Sequence, residues 1–118
     1  MKKIIYTLVV VFLFLPCSSK TANRVQVKKF KEPENTAVFT TKFVIVDKKD
    51  ITTVYHDKED GAWQFMSEGH FDDFSTVAKL VGLGQIVKID STLTQVADMP
   101  RGYFAHRKSK GEKWVIEK

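Results

Sequence analysis

The feature that most constrains the fold of this chain is the stretch Val54–Met66, in which two β-prone arms flank a charged loop ending in Asp60-Gly61. Glycine reaches positive φ without a Cβ penalty, so Asp60-Gly61 is typical of a tight hairpin connection. Trp63 and Phe65 are two residues apart, which on a strand places both rings on one face. The stretch therefore predicts a β-hairpin that sets aromatic side chains beside a charged loop.

Further β-prone segments lie on both sides of this hairpin. Ala37–Val46 is rich in β-branched and aromatic residues, and a charged turn separates it from the first arm of the hairpin. Short turns favour antiparallel neighbours, so we expect these three strands to form an antiparallel meander. Three later segments also read as strands: Thr76–Val81, Gly102–Arg107 and Trp114–Ile116.

Helical periodicity is confined to the segment between these later strands. Leu83 and Ile86 are one turn apart, which predicts a short amphipathic helix. Residues 91–98 follow as turns or a second helical piece, with Leu93 and Val96 facing inward. The sequence thus predicts an α+β domain, with an antiparallel sheet of five to six strands and one or two short helices on one face.

The N-terminal residues have the pattern of an export signal. Lys2 and Lys3 precede an apolar run, Ile4–Leu15, which has the length of a signal-peptide hydrophobic region and is too short to span a hydrocarbon core of about 30 Å. We therefore expect export to the periplasm or to the bacterial envelope.

Two processing routes remain open for this leader. Ordinary cleavage after Ser19 would make residues 1–19 the signal peptide. Cleavage before Cys17 would make residues 1–16 a lipoprotein leader and Cys17 the lipidated residue, although Phe14-Leu15-Pro16 departs from the usual lipobox. In either case we expect residues 20–36 to be a flexible linker and residues 37–118 to be a single domain.

Composition narrows the classes of function. The 118 residues carry a formal charge of +5, but the basic residues concentrate near the two ends and residues 47–73 are rich in acid. A nucleic-acid-binding protein would need a continuous basic face, so we expect no nucleic-acid partner. The single cysteine excludes a cysteine-based zinc site.

No sequence motif indicates catalysis. His56 and His70 could ligate a metal together with a carboxylate, but their spacing is not diagnostic, and hydrated loop residues are the better interpretation. The acidic loop lacks the ligand alternation of a calcium site, and no Gly-x-Ser-x-Gly nucleophile elbow occurs. We therefore expect neither catalytic residues nor a cofactor or metal, and a protein that is not an enzyme.

The order of several pieces resembles one bacterial family. Tyr55 precedes an acidic loop and then a Gly-x-Trp-x-Phe strand, formed here by Gly61, Trp63 and Phe65; the later runs Leu80–Leu93 and Met99–Arg107, followed by Trp114, continue the pattern. Over about residues 38–118 the chain resembles domain of unknown function 2185, also grouped as immunity protein family 33. The leader, a short acidic insert after Met66 and the presence of His106 depart from many members.

The resemblance implies an immunity protein, a small domain that binds and neutralises a bacterial toxin; it implies no catalytic residues. For an exported member, the toxin would act in the periplasm or on the envelope. We expect the charged hairpin to be the partner-binding surface, formed by Tyr55, His56, Asp57, Glu59, Asp60 and Trp63. Acidic residues there would steer a basic toxin face.

One rival from another class remains: an envelope lipoprotein with a ligand-binding or structural role, in contact with the membrane only through a lipid anchor. The sequence leaves the toxin and the oligomeric state open.

Overall fold

The computed structural model describes residues 28–118, so the predicted leader, Cys17 and the first part of the predicted linker lie outside the described residues. The strands are β1 (Ala37–Thr41), β2 (Ile51–His56), β3 (Trp63–Ser67), β4 (Ala78–Gly82), β5 (Phe104–His106) and β6 (Val115–Glu117). The helices are α1 (Lys42–Ile45), α2 (Phe74–Val77), α3 (Leu83–Ile89) and a 3₁₀ helix (Ser91–Val96). None of the helices found in residues 28–118 has the length and hydrophobicity that a membrane span requires.

The six strands form one mixed sheet in the order β4-β1-β3-β2-β5-β6. The predicted α+β class and strand number are confirmed, but the all-antiparallel sheet is wrong, because β1 runs parallel to β3. The expected meander is wrong for the same reason: after β1 the chain passes through α1 instead of a tight turn, and β3, not β2, lies beside β1 in the sheet. The charged turn at 47–50 therefore connects α1 to β2 rather than two paired strands.

The central hairpin forms as predicted. β2 and β3 are antiparallel, with Val54 opposite Phe65 and His56 opposite Trp63. Gly61 adopts φ +74°, the left-handed conformation that closes the loop. Trp63 and Phe65 are both buried on the same face of β3.

That face carries the hydrophobic core. Leu83 and Ile86 of α3 and Leu93 and Val96 of the 3₁₀ helix are buried, as predicted, against the central strands. The core side chains of the sheet are Val38, Ile51, Val54, Trp63, Phe65 and Ala105. We call this side of the sheet the helix-covered face.

The other helices do not all lie on that side, contrary to the expectation of helices on one face. Phe74 of α2 contacts Phe39 with ring centroids 6.2 Å apart, and Phe39 alternates with the buried Val38 along β1. Asp73 caps α2 by accepting a hydrogen bond from the Ser75 amide at 3.0 Å. The predicted strand 76–81 is displaced to β4, because its first residues form α2.

Residues 28–36 pack against the domain, although the sequence placed them in a flexible linker. Phe30 meets Trp63 edge-to-face, with centroids 4.9 Å apart, and Glu32 accepts a hydrogen bond from the Trp63 indole at 3.1 Å. The amides of Leu83 and Gly84 donate to the carbonyls of Thr36 and Glu34. This segment therefore covers one end of the core.

A buried ion pair joins the sheet to the helices. The Arg107 guanidinium lies 2.5 Å from the Asp90 carboxylate, and both side chains are almost fully buried. Arg107 also donates to the carbonyl of Ile51 and to the Thr92 hydroxyl. Its guanidinium stacks over Trp114 at 4.0 Å. Three separate parts of the chain, at residues 51, 90–92 and 114, thus contact one side chain, and the sequence pattern did not indicate this.

Arg107→Met should destabilise the domain by about 3–5 kcal/mol, because it leaves the Asp90 charge buried without its partner. The double variant Arg107→Met/Asp90→Leu should lose less unfolding free energy than the two single variants lose together, since it buries no charge. Urea unfolding of the three variants measures this. Additive losses would show that the pair is not coupled.

Acid should weaken the same network. Burial alone raises the pKa of Asp90, but hydrogen bonds from Thr92 and Arg107 outweigh it and hold the pKa below the ordinary value of 3.8. A carboxylate whose pKa is lower in the folded state than in the unfolded state stabilises the fold at pH values above the unfolded-state pKa. This stabilisation is lost as the pH falls through the folded-state pKa. Unfolding free energy should therefore decline below about pH 4, and less steeply in Asp90→Asn; equal slopes would contradict this.

Candidate partner-binding surface

Tyr55 lies on the side of the sheet opposite the helix-covered face. It alternates with the buried Val54 and His56 along β2 and is 42% exposed. The register places one row of side chains across the sheet here: Leu80, Phe39, Gln64, Tyr55, Phe104 and Glu117. A second row comprises Met66, Thr53, His106 and Val115. We call these two rows the open face.

The open face is not uniform. Phe74 and Phe71 cover its β1 end through contacts with Phe39 and with each other. At the other end, Tyr55 and Phe104 stack with centroids 5.8 Å apart and form one wall of a shallow depression of about 330 Å³. The exposed apolar side chains of the open face are therefore Leu80 on β4, Tyr55 on β2 and Val115 on β6, with Phe104 half-buried beside Tyr55.

His56 and Trp63 belong to the opposite face. Trp63 is 2% exposed and His56 is 7% exposed, so neither side chain is a hydrated loop residue or a surface anchor. The two rings stack at 3.8 Å, because His56 and Trp63 are opposite each other in the hairpin. The carbonyl of Met99 can only accept, so Nδ1 of His56 carries a proton and donates it at 2.7 Å. His56 thus fastens the loop at 99–103 to the hairpin.

The charged loop is shaped by its own carboxylates. Asp57 accepts a hydrogen bond from the Glu59 amide at 2.8 Å, and Asp60 accepts one from the Ala62 amide at 2.9 Å. These are Asx turns, which fix the backbone of the loop. Glu59 is exposed. Asp57 and Asp60 are therefore turn-forming residues first, and Glu59 is the loop carboxylate best placed to meet a partner.

Arg101 reduces the acidity of this corner. A Cβ placed on Gly61 would be only 2.5 Å from the Arg101 guanidinium, so that group packs directly on the loop. Three loop carboxylates then face two cations, Lys58 and Arg101, and the corner carries a formal charge of −1. The sequence pattern did not place Arg101 here, because it is about forty residues away along the chain.

The two histidines of the conceivable metal site do not come together. His56 lies beside the hairpin loop, whereas His70 follows the far end of β3 and contacts the exposed Asp72 at 3.0 Å. His106 contacts Glu117 at 2.5 Å on the open face. Within the described residues, no group of three or more histidine, cysteine or acidic side chains could hold a metal ion.

A groove of about 440 Å³ opens beside His56 and Trp63, between residues 29–32 and the loop 97–101. Lys29, Lys31 and Arg101 line it together with Glu32. One carboxylate oxygen of Glu32 bonds the Trp63 indole, and the other is buried without a hydrogen-bond partner among the described residues. That oxygen could accept a hydrogen bond from a small polar ligand.

Trp63→Phe should loosen residues 28–34, because it removes the indole N–H that holds Glu32 and costs about 1–3 kcal/mol in unpaired polar groups. Trypsin should then cut faster after Lys31. Trp114→Phe is the matched control, since that indole donates to the carbonyl of Thr92 and does not contact the segment. Equal cleavage rates at Lys31 in Trp63→Phe and in the unmodified protein would contradict the assignment.

No family model, curated protein or solved structure matches this chain. The family membership suggested by the sequence pattern therefore stays a prediction.

Proposed function

We propose that this chain is an exported immunity-type protein, related to immunity protein family 33, which neutralises a bacterial toxin by direct binding. The partner docks on the open face at its β2–β5–β6 end. The observation that carries this proposal is the stacked Tyr55–Phe104 pair, in which Tyr55 is exposed and Phe104 half-buried, on a sheet whose other face is filled by the core.

The physical chemistry of that pair favours protein recognition. Aromatic side chains offer a large contact area and lose little conformational entropy on binding, so they recur at binding hot spots. Tyr55 and Phe104 are held by stacking on a rigid sheet, and little reorganisation is needed before a partner binds. A flat aromatic wall of this kind suits a protein surface better than it suits a small substrate.

Charged groups around the pair set the chemistry of the partner. Glu59 and Glu117 are exposed at the two sides, while Lys58 and Lys118 are exposed nearby. The mixed signs indicate that charge orients the partner rather than attracting it strongly. The complementary toxin surface would present an apolar residue to Tyr55 and Phe104 and a basic residue to Glu59.

Export agrees with this role. A toxin that acts in the periplasm or on the envelope must be met there, and the apolar leader would deliver the domain to that compartment. Neutralisation then requires only that the bound domain cover the working surface of the toxin, and it requires no catalytic residue.

The test is affinity capture with the tagged protein from secretions and lysates of its own and related strains, followed by titration of the partner that co-purifies. Tyr55→Ala and Phe104→Ala should each weaken binding roughly tenfold or more. Ile89→Ala is the matched control, because Ile89 is an exposed apolar residue on α3, across the sheet. Equal losses from all three variants, or none from the first two, would overturn the open-face proposal.

Reversing the charge of Glu59 tests whether the hairpin loop contacts the partner. Glu59→Lys should slow association and alter its salt dependence without changing the fold, since the Glu59 side chain makes no hydrogen bond within the described residues. Asp57 and Asp60 are poor sites for this change, because reversal there would also break the turns. An unchanged association rate would remove the loop from the interface.

A second candidate is the envelope lipoprotein with a ligand-binding role. The groove beside His56 supports it, through the buried, unpaired oxygen of Glu32. If no protein partner is captured and a small polar molecule co-purifies instead, Glu32→Gln should weaken its retention, and this candidate would replace the first.

A further inference from the structure

The strand β6 ends the sheet with an unpaired edge. It pairs with β5, and within the described residues no strand pairs with its other side. Val115 is 49% exposed and Ile116 is 45% exposed, although both are apolar and belong to a strand. An exposed apolar edge of this kind is a template for pairing with another strand.

The sequence of this edge is complementary to itself. When two copies of residues 112–118 run antiparallel with Val115 opposite Val115, Lys113 of each copy is opposite Glu117 of the other. In the same register Glu112 is opposite Lys118, and Trp114 is opposite Ile116. Opposite charges directly across a strand pair stabilise it, whereas like charges destabilise it.

The register is also specific. A two-fold axis normal to the sheet places residues of the same face opposite one another, and one residue lies opposite its own copy at the axis. The two neighbouring registers of this kind have Ile116 or Trp114 at the axis. With Ile116 on the axis, Glu117 is opposite Val115 and Lys118 is opposite Trp114. With Trp114 on the axis, Lys113 is opposite Val115. Only the Val115 register pairs the charges with each other.

The opposite edge of the sheet lacks this property. β4 has one charged residue, Lys79, between Ala78 and Gly82, so no attractive charge pair can form when two copies meet there. An exposed lysine on an edge strand also discourages pairing. The complementarity therefore belongs to β6.

We propose that two copies of this chain pair through β6, in the antiparallel register centred on Val115, and form one continuous sheet across the dimer. The open faces of both copies then lie on the same side. A contact between two short strands buries less than about 1,200 Å², so the association is weak and reversible. The proposal does not depend on the identity of any toxin.

Sedimentation velocity over a wide concentration range tests the association. The unmodified protein should show a concentration-dependent monomer–dimer equilibrium. Lys113→Glu and Glu117→Lys should each weaken self-association roughly tenfold or more, because each places like charges opposite one another. Lys79→Glu, on the other edge, is the matched control and should not change the equilibrium.

A mixture of the two charge variants provides the decisive measurement. The Lys113→Glu variant has acids at both positions 113 and 117, and the Glu117→Lys variant has lysines at both. An equimolar mixture should therefore form a heterodimer more tightly than either variant forms a homodimer. This recovery also shows that both variants are folded. A monomeric unmodified protein, a loss in Lys79→Glu, or no recovery in the mixture would overturn the proposal.

Crosslinking checks the register. In a Cys17→Ser background, Val115→Cys should form an intermolecular disulfide under mild oxidation, because the two side chains face each other across the axis. Ile116→Cys should crosslink much less. The reverse result would place the axis at Ile116 and contradict the charge pairing on which the proposal rests.

Discussion

The interaction on which the rest of the structure depends is the buried Arg107–Asp90 pair. A guanidinium and a carboxylate lose their hydration when they are buried, and only full pairing with additional hydrogen bonds offsets that cost. The carbonyl of Ile51, the hydroxyl of Thr92 and the face of Trp114 supply the remaining contacts. These groups come from β2, from the junction of α3 with the 3₁₀ helix and from the residue before β6, and Arg107 itself follows β5. The pair therefore fixes how the helical layer sits on the sheet.

Local patterns predicted the local parts of the fold. Asp60-Gly61 between two β-prone arms was sufficient to identify the hairpin, and the spacing of Leu83 and Ile86 was sufficient to identify α3. Strand order could not be obtained in this way, because it depends on which distant segments meet. The apolar run through Lys42–Ile45 suits a strand as well as a buried helical turn, and for that reason the sequence did not predict that the chain leaves the sheet after β1.

For the same reason, the sequence pattern grouped into one candidate site residues that lie on two faces of the sheet. Alternation along β2 separates Tyr55 from His56, but the sequence does not say which of the two faces the core. Tertiary contacts decide it: His56 is opposite Trp63, Trp63 contacts Phe30, and His56 bonds the carbonyl of Met99. Phe104 was missed as the partner of Tyr55 because the two are brought together only by the pairing of β2 with β5.

The parallel pairing of β1 with β3 has a consequence for the order of folding. The β2–β3 hairpin closes a short loop, whereas β1, β4 and β5 reach their positions only after longer loops close, each at an entropic cost. The hairpin is therefore the natural nucleus, and β1 adds to its β3 side while β5 adds to its β2 side. Substitutions within the hairpin would act mainly on the folding rate, and substitutions in the outer strands mainly on the unfolding rate.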